Sequence, residues 1–94
     1  MPVVVLIPGP LRPYCNGSSK VILEPAPATL AEALERLWEE CPGMKDRVMT
    51  EQFQIRDHIN VFVGMEHIRY TGGLQTPLGE GSEIAIIPAI SGGK

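Results

Sequence analysis

Basic residues are few: eight lysines and arginines stand against eleven acids, giving a formal net charge of −3. That balance argues against a nucleic-acid partner, whose phosphates call for concentrated cations, and it suits a basic docking surface on another protein. Cysteine is scarcer still. Cys15 and Cys41 are the two, without CxxC spacing, and are expected as free thiols in a reducing cytosol rather than as a structural disulfide. No apolar run is long enough to cross a membrane. The stretch Met1-Pro2-Val3-Val4-Val5-Leu6-Ile7-Pro8 is too short and lacks the basic flank of a signal peptide, so a cytoplasmic protein is expected. The two histidines, His58 and His67, have no carboxylate or cysteine at metal-ligand spacing; both are expected on the surface, with no metal. There is no Ser-His-Asp set, and Gly79-Glu80-Gly81 reads as a turn rather than a phosphate-cradling loop. These absences predict a chain that is not an enzyme by itself and binds no cofactor.

What the chain does contain is one domain's worth of alternating order. Ninety-four residues, 44% of them hydrophobic and 20% charged, describe an ordinary globule. Val3 to Ile7 is a β-branched run broken by Pro8-Gly9-Pro10, which predicts a buried strand. A long turn-rich connection through Asn16-Gly17 leads to a second strand, Lys20 to Glu24, closing a hairpin. Thr29 and Glu32 have capping-box spacing, and Leu30, Ala33, Leu34, Leu37, Trp38 and Cys41 form one apolar helical stripe that Pro42-Gly43 ends. Met44 to Ile55 is polar and reads as a short irregular helix and a loop. His58 to Gly64 alternates as a third strand, Gly64 to His67 as a turn, and Ile68-Arg69-Tyr70 as a short returning strand. A loop from Thr71 to Ser82 leads to the last strand, Glu83 to Ile87, which Pro88 stops. One helix on one face of a mixed sheet is an α+β arrangement.

Beyond Pro88 the chain runs out in small residues, Ala89-Ile90-Ser91-Gly92-Gly93-Lys94. The glycines carry no nucleophile, acid or base. Any chemistry at this end therefore belongs to a backbone carboxylate. The domain is expected to span residues 1–90, with 91–94 as a flexible tail.

This order of elements with a terminal Gly-Gly resembles the ubiquitin-like β-grasp fold. The stretches Asn60-Val61-Phe62-Val63-Gly64, Thr76-Pro77-Leu78, Gly81-Ser82-Glu83-Ile84 and Ile87-Pro88-Ala89-Ile90-Ser91-Gly92-Gly93 are similar to the sulfur-carrier family that includes the molybdopterin-synthase small subunit and the thiamin sulfur carrier. Ile7-Pro8, Leu11-Arg12-Pro13 and Ile68-Arg69-Tyr70-Thr71-Gly72-Gly73-Leu74 are most similar to its cysteine-biosynthesis branch in mycobacteria. The resemblance implies that a ubiquitin-activating-like adenylyltransferase and sulfurtransferase uses ATP to adenylate the Gly93 carboxylate. A sulfur donor then displaces AMP, leaving a thiocarboxylate that acts as a nucleophile. Gly92 is implied to give the clearance to thread a narrow channel and Gly93 to present its carbonyl for attack, for which a residue without Cβ is suited. The implied acceptor is a PLP-dependent cysteine synthase. Molybdopterin synthesis is the alternative acceptor pathway, and isopeptide-forming protein modification is an alternative from another class. Lys94 departs from the family's end and masks the Gly93 carboxylate. Either a peptidase, of the zinc metalloprotease kind implied by the resemblance, removes it, or it does not belong to the natural end.

Strand parity points Val3, Val5, Ile7, Ile59, Val61, Val63, Ile84 and Ile86 inward. Val4, Leu6, Phe62, Ala85 and Ile87 then face the other way. With the first and last strands as neighbours, as the resemblance implies, Leu6, Phe62 and Ile87 are expected to form one exposed apolar docking patch beside the tail.

Overall fold

Thr29 sits in extended geometry, and its Oγ1 accepts a hydrogen bond from the Glu32 backbone N–H at 3.3 Å. This satisfies one of the N–H groups that open a helix without an intrahelical partner. Glu32 returns the bond one residue further out than the capping-box spacing suggests, accepting from the Ala28 N–H at 3.1 Å. Helix α1 runs from there over Leu30–Glu40 and ends where Pro42 follows Cys41. Its predicted stripe is buried at Leu30, Ala33, Leu34, Leu37 and Cys41, while Trp38 is half-buried against the same cluster.

The computed structural model describes residues 1–89. Five strands, β1 (Val3–Leu6), β2 (Lys20–Leu23), β3 (Ile59–Val63), β4 (Glu66–His67) and β5 (Glu83–Pro88), form one sheet in the order β2-β1-β5-β3-β4. β1 and β5 are parallel at the centre, and every other pairing is antiparallel. Helix α1 covers one face. Val3, Val5, Val21, Leu23, Ile59, Val61, Ile84 and Ile86 point into that layer and are buried, as the alternation predicts. Val63, on the same side, is only half-buried because it lies beside the hairpin turn at the sheet's edge.

Four expectations are corrected. Cys15 and Cys41 are not free thiols: they are joined in a disulfide with a Cα–Cα distance of 4.8 Å. The connection between β1 and β2 is not plain turn but a 3₁₀ helix over Gly9–Cys15, which buries Leu11 and Cys15 and lays the latter against the end of α1. Arg12 fastens its start by donating from Nε to the Ile7 carbonyl at 3.0 Å, and Asn16 ends it at φ 56°. The returning strand after β3 is Glu66–His67, and Ile68–Tyr70 is a 3₁₀ turn instead. The tight Gly64-Met65 turn, with Gly64 at φ 63°, brings Glu66 straight back against Val63. Pro88 does not stop β5 but is its last paired residue, opposite Ile59. A proline is tolerated at a strand end because only the missing N–H is lost from the ladder.

The region after α1 is the short irregular helix and loop expected, and it contributes to the core despite its polar look. A 3₁₀ turn, Pro42–Met44, leads into a single-turn helix α2 over Lys45–Val48, and Met44, Val48 and Met49 are all buried. The loop before β5 is clasped to the start of α1: Leu30 N–H donates to the Thr76 carbonyl at 2.9 Å and Leu78 N–H to that of Ala28 at 2.9 Å. Thr76, buried, donates its hydroxyl to the Gly73 carbonyl at 2.6 Å. These bonds set where β5 enters the sheet. Among the described residues no helix is long and apolar enough to cross a membrane.

Candidate functional site: the root of the C-terminal segment and the open sheet face

The last strand is clamped on both sides. β5 lies between β1 and β3, and its ladder continues past Pro88, where the Ala89 N–H donates to the His58 carbonyl at 2.6 Å. The last described residues are therefore held next to the start of β3. Gly92, Gly93 and Lys94, on which the thiocarboxylate and processing expectations rest, lie outside the described residues.

Among the described residues, no helix or strand is laid over the sheet face opposite α1. Register places Leu6, Ala85 and Phe62 side by side across β1, β5 and β3, flanked by Lys20 on β2 and His67 on β4. Ile87 stands one step nearer the chain's exit, opposite Asn60. The three predicted docking residues are thus brought together, but through Ala85, and they are not equally exposed. Ile87 is 47% exposed, whereas Leu6 and Phe62 are half-buried by their neighbours. Ile22, 53% exposed and paired with Val4 on the same face, extends the apolar surface. Parity along β2, where Val21 and Leu23 go inward, carried that signal.

One edge of this face is polar and ordered. The His67 ring stacks edge-on against Phe62 with centroids 5.1 Å apart. Its Nδ1 accepts from the Arg69 backbone N–H at 3.1 Å, so Nε2 carries the proton and donates to Asn60 Oδ1 at 3.0 Å. Desolvation, and then the charge of Arg69, hold its pKa below the ordinary 6.5. His67 is half-buried with its protonation disfavoured, rather than the plain surface residue expected, while His58 is exposed. Among the described residues no group of three or more His, Cys, Asp or Glu side chains is placed to hold a metal.

Comparison with known proteins matches the ThiS family model to residues 5–93. This chain belongs to the ThiS family. Among curated ThiS-family relatives, the sulfur carrier protein CysO of Mycobacterium tuberculosis is 33% identical over 95 residues, covering 99% of this chain and all of that protein. Among solved structures, the CysO complex with BexX from Amycolatopsis orientalis contains a chain superposing with a TM-score of 0.86 at 34% identity, covering 97% of this chain and 99% of that one. Small archaeal modifier protein 1 of Haloferax volcanii superposes at 0.82 with 28% identity, covering 99% and 100%. The ubiquitin-like β-grasp fold follows from these superpositions. The CysO relative is named as a sulfur carrier protein.

Proposed function

We propose that this protein carries sulfur as a thiocarboxylate on Gly93 and delivers it for cysteine synthesis. The observation that carries the reading is the end-to-end match to CysO, which extends through the Gly-Gly end. In the proposed cycle an activating enzyme transfers AMP from ATP to the Gly93 carboxylate, releasing pyrophosphate. A sulfur donor then attacks the acyl carbon and AMP leaves. The resulting –C(=O)S⁻ forms a C–S bond to an activated carbon held by a PLP-dependent cysteine synthase, and hydrolytic cleavage of the acyl bond to Gly93 then frees the product and returns the carboxylate. The carrier contributes reach and docking. Rigid anchoring of β5 between two strands supports this, because a fixed exit point lets a partner that grips the open face know where the carboxylate begins. In the same reading Leu6, Phe62 and Ile87 dock the activating enzyme, a zinc metalloprotease exposes Gly93 by removing Lys94, and ATP-dependent loading takes place in the cytoplasm.

The likeness to an archaeal modifier favours one second reading, in which the same adenylate ends in an isopeptide bond to a lysine. One experiment separates them. Chains ending at Gly93 and at Lys94 are incubated with the activating enzyme, ATP and sulfide, and the intact masses are read. Exchange of one oxygen for sulfur on the Gly93 form alone is expected. Conjugates without that exchange would replace the carrier by a modifier, and equal loading of an intact Lys94 form would remove the need for processing.

A further inference from the structure

A cleft of about 510 Å³ opens between residues 54–57, the first half of β3 and the 3₁₀ turns after β4. Its apolar lining includes Ile55, Ile68 and Leu74, and its charges are Arg56, Arg69 and the single carboxylate of Asp57. In a chain of net charge −3, two cations against one anion invert the local sign. Both guanidinium groups are held in place. Arg56 donates from Nε to the Asp46 carbonyl at 2.8 Å, and Arg69 donates from Nε to His67 Nδ1 at 3.3 Å. Disfavoured protonation of His67 leaves the cationic character with the arginines. The wall also lies at the chain's exit, because His58, which receives the bond from Ala89, sits between the lining residues Asp57 and Ile59.

We infer that this cleft receives a carboxylate side chain, flanked by an apolar one, from the partner protein that loads the C-terminus. An arginine fork matches a carboxylate in geometry as well as charge, and the apolar lining offers room for the neighbouring side chain. The pair would give the partner a second grip, at the polar edge of the open face. The identity of that partner rests on the carrier reading; the chemistry of the cleft does not.

The test is an amide NMR titration of the full chain with end-blocked acetyl-Leu-Glu-Leu-Glu-amide, alongside the lysine counterpart and inorganic phosphate. Saturable shifts confined to residues 54–61 and 67–74 are expected with the glutamate peptide. Arg69→Gln, whose side chain is exposed and whose backbone bond to His67 survives, should weaken them about tenfold, and Arg56→Gln provides the independent second variant. In the loading assay Arg69→Gln should raise the half-saturating carrier concentration about tenfold at unchanged maximal rate. Four results overturn the inference: no saturable shift by about 5 mM peptide, equal binding of the lysine peptide or phosphate, wild-type titration in both variants, or unaltered loading by Arg69→Gln. Sulfur loading of the wild type without a peptide response would retire the cleft and leave the carrier. A peptide response without sulfur loading would do the reverse.

Discussion

His67 shows how much one side chain's partners decide. The Arg69 N–H and Asn60 Oδ1 fix its tautomer, and burial with the Arg69 charge disfavours its protonation. Because the folded pKa lies below the unfolded one, the folded state binds fewer protons between the two values. This contribution to stability is complete above pH 6.5 and is lost as pH falls through the lowered folded value. An imidazole NMR titration should give a His67 midpoint below 6.5. Denaturant midpoints between pH 7.5 and 5 should fall less for His67→Gln than for wild type; identical pH profiles would mean that the network is energetically silent. Sequence spacing showed only that His67 lacks metal partners. It could not show the Phe62 ring or the Arg69 amide, which reach it through the hairpin and the 3₁₀ turn that follows.

At the scale of elements, local chemistry and long-range linkage separate cleanly. The start of α1 depends on neighbours three residues apart, so its cap was legible in the chain. Thr29→Ala should destabilise the protein by about 1 kcal/mol, read from urea unfolding, and Thr29→Ser should restore most of it. Cys15 and Cys41 are different. Their separation of 26 residues carries no signature, and only the 3₁₀ helix over Gly9–Cys15 brings one to the end of α1 carrying the other. Closing a loop of that length stabilises by roughly 3 kcal/mol through the unfolded chain. Replacing both cysteines with serine should therefore lower the unfolding free energy by about that amount, with the sheet retained by circular dichroism. An unchanged denaturant midpoint, or full alkylation of the native protein without reductant, would contradict the bond. The residues after α1 form the short helix and loop their polar pattern suggests, but their share in the core was not legible. Met44, Val48 and Met49 are too few, among polar neighbours, to stand out as a stripe, yet all three are buried.

For the whole molecule, the sheet order decides what a partner meets. Ile87→Glu should weaken binding of the activating enzyme by about 2 kcal/mol or more, the range of interface hot spots, while shifting stability by less than about 0.5 kcal/mol because the side chain is largely exposed. Phe62→Glu should weaken binding similarly but also lower stability, since it is half-buried against His67. Calorimetric binding beside thermal unfolding reads both, and wild-type affinity in both variants would move the docking surface elsewhere. Much of this was determined along the chain. Period-two alternation and β-branched runs marked four of the five strands and their inward faces, and helical spacing with a cap marked α1, because these signals depend on residues within a turn or a pleat of one another. The terminal Gly-Gly, read with this order of elements, carried the resemblance to the family for the same reason. What needed the tertiary structure were the relations between distant segments: Ala85 joining Leu6 to Phe62, Cys15 meeting Cys41, and Arg56 and Arg69 sharing one cleft. No local pattern encodes them, because each exists only once β5 has been inserted between β1 and β3 and the loops have packed around that choice.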